Sequence, residues 1–206
     1  MMATSDEIRF FHDRYLNEDA PWDSGRPDKN LREIMHSIRQ PVKNCLEIGC
    51  GTGDNAIFLA QRGIDVTATD IVEIALDRAR EKAKKKGVSI NFLLKDIMEQ
   101  DIPGRPFDLV FDRGCFHHFR TDEARIRFVK RTYSHLTPEG MWISLIGNAD
   151  EKTQAPGPPR LSALQIVTAV EPFFEILLLK SSRFDSKQTL PPRCWVFMGK
   201  KRKGAL

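Results

Sequence analysis

The sequence predicts an α/β fold, a doubly wound and mostly parallel sheet of seven strands closed by an antiparallel C-terminal hairpin. Three observations lead there. The β-type run NCLEI breaks into glycines at every second position, Gly49, Gly51 and Gly53, so the chain can turn sharply where a strand gives way to a helix. Beyond it, β-like apolar runs alternate with amphipathic helix-like runs, the signature of a sheet with helices on its faces. The last two β-like runs are joined only by the polar stretch DSKQTLPP, too short for the crossover that parallel neighbours need.

The expected strands are 44–48, 65–69, 89–94, 107–112, 141–145, 175–181 and 193–199, and the expected helices 52–62, 71–86, 122–135 and 163–170. Thr121 and Asp122 supply N-cap chemistry for the third of these helices. Residues 5–40 stand before the alternation as a helix-like arm carrying Phe10, Phe11 and Tyr15, then the loop PWDSGRP, then a second helix to Gln40. Residues 147–160, GNADEKTQAPGPPR, follow the fifth strand. Ligands in open α/β sheets bind beyond the carboxyl ends of the strands, an edge that both segments can reach. They are candidate lid and acceptor-pocket elements; the plainer alternative is a cover for the sheet and a disordered loop. No repeat or composition shift marks a boundary, so residues 1–206 are expected to form a single domain, with residues 1–40 as an arm or lid within it.

At 41% apolar and 29% charged residues the chain has the composition of a soluble globular protein. No run approaches the roughly 18 apolar residues of a membrane span, and the polar start MMATSDEIRFFHD does not read as a signal peptide, so a cytoplasmic location is expected. Cys45, Cys50, Cys115 and Cys194 form no C-x-x-C pair, which suggests neither a metal site nor a disulfide framework. The net charge of +4 is concentrated in Lys82–Lys86 and Lys200–Lys203. The first cluster reads as the solvated end of a helix and the second as a frayed tail, so nucleic acid is not the expected partner.

Chemistry concentrates at the glycine turn. Glycines without Cβ let a ligand approach main-chain N–H groups, and the following helix adds its unpaired N-terminal donors. At the end of the next β-like run stands Asp70, an acid placed for a ribose diol. A dinucleotide fingerprint would carry a third glycine where this chain has Asp54. An aspartate there meets a pyrophosphate with like charge, whereas S-adenosylmethionine (SAM) has no phosphate and carries a sulfonium and an ammonium.

The pattern E-x-G-x-G-x-G with Asp70 resembles motif I and the acidic loop of class I SAM-dependent methyltransferases, whose Rossmann-like fold ends in the same hairpin. The resemblance implies SAM as cofactor, held by Glu47, Gly49, Cys50, Gly51 and Gly53, with Asp70 on the ribose and Ile71 against an adenine face. It implies Asp96 and Ile97 at the adenine edge, and Asp112 with Gly114 under the methionine moiety. PWDSGRP together with GPPR at 157–160 resembles the thiopurine, thiol and halide group of small-molecule methyltransferases, in which an aromatic arm closes over the cofactor; DRGCFHHF departs from the motif of that group. Trp22 is then a candidate sulfonium contact, and Phe11, Tyr15 and Arg160 are candidate acceptor contacts. His117 and His118 follow the fourth strand and are candidate bases, although packing explains either equally well. The acceptor expected is a small molecule attacked at sulfur, oxygen or another soft nucleophile. A SAM-binding regulatory protein without turnover and a nicotinamide-dependent oxidoreductase are the alternatives.

Overall fold

The computed structural model describes residues 4–104, 106–152 and 159–205. Its order is α1 (Ser5–Leu16), α2 (Lys29–Ser37), β1 (Asn44–Ile48), α3 (Asp54–Gln61), β2 (Asp65–Asp70), α4 (Glu73–Lys85), β3 (Asn91–Leu94), β4 (Phe107–Arg113), α5 (Asp122–His135), β5 (Leu136–Gly147), α6 (Ala163–Val170), β6 (Phe174–Arg183) and β7 (Arg193–Lys201). The seven strands lie in the order β3-β2-β1-β4-β5-β7-β6. β1 pairs in parallel with both β2 and β4, so the chain reverses its winding there and opens a crevice at the carboxyl ends of these strands. β7 runs antiparallel between β5 and β6.

The elements sit where local chemistry puts them. Thr4 caps α1 in a reciprocal capping box with Glu7, Ser162 does the same for α6 with Gln165, and Thr121 alone caps α5. Each satisfies N–H groups that the helix cannot. α3 starts two residues later than expected, at Asp54, because Gly53 remains in a left-handed turn with φ of 82°. β5 starts earlier, at Leu136 rather than Met141, through an irregular register against Phe107 and Leu109. A short 3-10 turn over Phe116–His118 was not expected from the sequence.

Alternate residues of the strands face opposite sides of the sheet, and each side has its own core. One side gathers Leu46, Val110, Phe116, Phe128, Trp142, Phe174 and Phe197 beneath α5 and α6. The other gathers Cys45, Leu109, Phe111, Ile143 and Val196 with Leu31 and Ile34 of α2 and Leu59 of α3. α2 therefore belongs to the core, and only α1 lies outside it. Its Tyr15 packs instead with Ala20, Val72 and Ala75 at the start of α4.

The first basic cluster is the exposed last turn of α4, as expected, with one addition; the second is no frayed tail. Lys82 reaches back to the glycine turn, donating to Thr52 Oγ1 at 2.7 Å and pairing with Asp54 at 3.0 Å. The C-terminal cluster continues β7: Lys200 and Lys203 both pair with Glu139, and Lys201 lies over the Tyr133 ring.

Asp112 belongs to the core. Its carboxylate is fully buried and accepts from Cys115 N at 3.2 Å, Phe116 N at 3.1 Å and Trp142 Nε1 at 2.9 Å. Removing it leaves three donors without partners, those of Phe116 and Trp142 buried and that of Cys115 partly so, at about 1–3 kcal/mol for each buried one. Asp112→Ala is therefore expected to lower stability by about 3–5 kcal/mol, and Trp142→Phe, which loses one of the three bonds and some packing, by about 1–3 kcal/mol. Urea unfolding of the two variants measures the ranking, and an Asp112→Ala protein as stable as the parent would show that the carboxylate holds nothing.

Candidate active site

The glycine turn is built by its neighbours. Cys50 N donates to Thr69 O at 2.9 Å, and Gly51 N to Asp70 Oδ2 at 2.7 Å, so the end of β2 carries the turn. A Cβ on Gly51 would stand 2.7 Å from Tyr15 Oη, and one on Gly53 would stand 2.8 Å from Ala79 Cβ. Gly53, expected to serve a ligand, thus has a packing reason of its own: α4 lies against it. Gly49 is the open member, its nearest neighbours being Cys115 Cβ and Sγ at 3.6 and 3.7 Å.

The acids differ in what they face. Asp70 accepts from Gly51 N and, at 3.0 Å, from Val72 N, leaving lone pairs on both oxygens. Burial pushes it up to about 6 against the pull of those backbone bonds. Glu47, at the end of β1, is pushed up to about 8 by burial, with Asn55 opposing. Asn55 Nδ2 donates to its Oε1 at 3.3 Å, while the buried Oε2 has no partner. Asp96 caps the next turn through Met98 N at 2.8 Å. Ile97 buries its side chain in the core below α5, which leaves its backbone N–H as the group for the adenine edge, and Ile71 packs beside Tyr15.

The PWDSGRP loop is tied to the body of the fold by hydrogen bonds. Lys187 N and Ser186 Oγ both donate to Pro21 O at 3.0 Å, Thr52 Oγ1 donates to Asp23 Oδ1 at 2.8 Å, and Asp28 N donates to Asn55 Oδ1 at 2.9 Å. Arg113 joins them: Nε donates to Asp28 Oδ2 at 2.8 Å, NH1 to Trp22 O at 3.4 Å and NH2 to Asp185 O, with the guanidinium 5.1 Å over the Phe184 ring. Between loop and glycine turn lies a cavity of about 50 Å³ lined by Tyr15, Trp22, Asp23, Arg26, Gly51 and Arg113.

On the far side, Trp22 Nε1 donates to Tyr15 Oη at 3.1 Å. Phe11 stands edge-on to Trp22 at 5.8 Å and to His118 at 5.3 Å. Tyr15 thereby stands against Gly51, while Phe11 lies between Trp22 and His118. Arg160 NH1 reaches the Glu151 carbonyl at 3.5 Å; Gly157 and Pro158 of GPPR lie outside the described residues. Burial holds both histidines below the usual imidazole range, His117 the more strongly. Cys115 is pushed up by burial and then by Asp112, Asp70 and Asp96, which leaves it a thiol and no nucleophile.

Glycine turn, strand-end acid and sheet order together are those of the class I methyltransferase fold. Residues 45–140 match the family model described as "Methyltransferase domain", and the fold is that of solved SAM-dependent methyltransferases. Over 139 residues it is 29% identical to "Probable thiol methyltransferase 2" of Arabidopsis thaliana, covering 66% of this chain and 61% of that protein. It is 31% identical over 129 residues to "Thiocyanate methyltransferase 1" of Brassica oleracea, covering 62% and 56%. The chain thus spans about three-fifths of the length of these curated relatives. Among solved structures, one described as "Conversion of a Disulfide Bond into a Thioacetal Group during Echinomycin Biosynthesis" superposes with a TM-score of 0.82 at 23% identity, covering 96% of this chain and 94% of that one. Burkholderia thailandensis 1,6-didemethyltoxoflavin-N1-methyltransferase, with bound S-adenosylhomocysteine (SAH), gives 0.71 at 21% identity, covering 97% and 87%.

The residues fit the cofactor. The orphaned Glu47 Oε2 is an acceptor without a donor, as an ammonium requires, and Asp70 keeps lone pairs for two hydroxyls. Arg113 and Asn55 escaped the sequence reading; the only signal was that each adjoins a recognised motif. Glu47 is largely protonated below about pH 8, so a cation bound beside it displaces a proton. SAM binding near neutral pH is expected to release protons, the number falling towards zero as pH rises past that value. Titration calorimetry in buffers of different ionisation enthalpy should show this for the parent and a smaller release for Glu47→Gln; equal heats in every buffer would exclude it.

Proposed function

We propose that the protein transfers the SAM methyl group to a small acceptor through a soft nucleophilic atom, sulfur foremost. The observation that carries this is the ring-lined wall of Phe11, Trp22 and His118 beside the glycine turn. When bound, the cofactor supplies an electrophilic methyl on a sulfonium. In-line displacement needs the acceptor held at attack distance with water excluded, which rings on a fixed loop accomplish. The relatives named for thiol and thiocyanate methylation support sulfur.

In this reading Asp70 accepts from the ribose hydroxyls, and Glu47 with Asn55 meets the ammonium. The glycine turn carries the cofactor's amino-acid end on its bare backbone at Gly49, since the N–H groups of Cys50 and Gly51 are already held by Thr69 and Asp70, and Gly114, with His117 packed against it, lies beneath. Trp22 lies against the sulfonium, a cation–π contact of about 0.5–2 kcal/mol. Phe11 faces the acceptor, and His118 is the group able to take a proton from one that arrives protonated. Asp112, Asp96 and Gly53 support this arrangement by holding the core, a turn and α4. The chain is read as one domain acting in the cytoplasm. No helix of the described residues is long and apolar enough to cross a membrane, and the pairing of Lys82, Lys200 and Lys203 with acids supports a small molecule rather than nucleic acid as partner.

Incubation with methyl-labelled SAM and a panel of thiols, thiocyanate, phenols and halides, read by SAH release, is the direct test. Thiols and thiocyanate are expected to accept label ahead of phenols, and Phe11→Ala to lower kcat/KM about tenfold, equivalent to about 1.4 kcal/mol. Label that remains on SAM with every acceptor would favour a regulatory binder without turnover.

A further inference from the structure

On the acceptor side of the site the backbone dictates the protonation of one side chain. Gly147 N donates to His117 Nδ1 at 2.7 Å. A backbone N–H can only donate, so Nδ1 holds a lone pair and the single proton of the neutral ring sits on Nε2. The donor is fixed in turn. Gly147 O accepts from Leu161 N at 2.8 Å, and a Cβ at Gly147 would stand 2.1 Å from Pro159 O, so two backbone segments are packed together there. β7 pairs with the same residue, Gly147 against Cys194.

The opposite edge of the ring faces the end of β4. Cε1 and Nε2 of His117 lie 3.4 and 3.5 Å from where a Cβ on Gly114 would be, and among the described residues no acceptor is bonded to Nε2. The His118 ring is 4.9 Å away and Phe184 6.2 Å, centroid to centroid. Burial, the neighbouring His118 and the charge of Arg113 all oppose protonation of His117, which keeps the ring neutral with its one proton in place.

We propose that His117 is a fixed hydrogen-bond donor, through Nε2–H, to the attacking atom of an acceptor that arrives as a soft anion, a thiolate or thiocyanate, and that it is not a base. The inference rests on the methyltransferase reading above and deepens it. An anion that attacks a sulfonium methyl forms one bond to carbon while the carbon–sulfur pair stays on the departing sulfur. Both charges vanish and no proton moves, so the group needed beside the nucleophile is a donor that orients it.

The test uses the full chain labelled with 15N-histidine, bound to SAH, and long-range proton–nitrogen correlation; His117 is assigned by the signals missing in His117→Gln. The expected result is a bare Nδ1 and a protonated Nε2 throughout about pH 5.5–8.5, with the Nε2–H resonance shifting when sodium thiocyanate is added. His117→Gln, which keeps an N–H donor, is expected to hold thiocyanate within about threefold of the parent, and His117→Leu to lose about tenfold. A proton on Nδ1, a ring that titrates in the ordinary imidazole range, or a resonance indifferent to thiocyanate would overturn the proposal. If the tautomer and the thiocyanate shift stand while no acceptor takes label, the donor role holds and the turnover reading fails.

Discussion

The ion pair between Arg113 and Asp28 holds the site in one piece. Asp28 is buried with both oxygens engaged: Oδ1 accepts from Asn30 N and Nδ2, Oδ2 from Arg113 Nε and Asp185 N. Arg113 adds the carbonyls of Trp22 and Asp185. Three stretches distant in sequence, the loop before α2, the end of β4 and the turn after β6, are thereby fixed to one another. Such a pair adds little over an apolar replacement, but losing one partner strands the other charge, at about 3–5 kcal/mol. Trp22 hangs from this cluster, Tyr15 from Trp22, and Gly51 is limited by Tyr15.

Burial also sets the charge state of the crevice. It raises Glu47 to about 8 and both Asp70 and Asp112 to about 6, while it lowers His117 and His118. The folded chain therefore binds protons at these acids that the unfolded chain has already lost. Their contribution to stability is fullest in acid and declines as pH rises from the ordinary carboxylate range through 6 and on to about 8. Near neutral pH Glu47 is then the acid that keeps its proton while Asp70 and Asp112 are largely ionised, so it is from Glu47 that a cationic cofactor draws out a further charge.

Most of the fold was legible because its signals are local. Alternating apolar runs, the glycine turn and a connection too short for a crossover each depend on a few adjacent residues, and α5 and α6 fall on their expected boundaries. The site was legible as a region and less so as geometry. Asp70 could be placed because it ends a strand beside the glycines. The orientation of Asp112 could not, since what turns it inward is Trp142, thirty positions away. Nor could Lys82 be separated from its neighbours on α4, because its reach to Thr52 and Asp54 depends on how that helix packs against Gly53. Arg113 has no spacing signature; its partners come from the far ends of the chain.

The position of β7 has a consequence for how the chain reaches its folded form. β6 has no strand neighbour other than β7, and β5 uses β7 as its second partner. β6 and β7 are joined by a short turn and can pair as a hairpin on their own, and the native order then requires that the hairpin meet β5 through β7 and not through β6. The parallel half has a long-range step of its own, since β1 pairs with β4 across the whole stretch that holds β2, α4 and β3. Docking of the hairpin is thus a second long-range event with a loop-closure cost of its own, and until it occurs β5 presents a free edge bearing Ile143, Leu145 and Ile146. Nascent chains are most open to mispairing with one another during that interval.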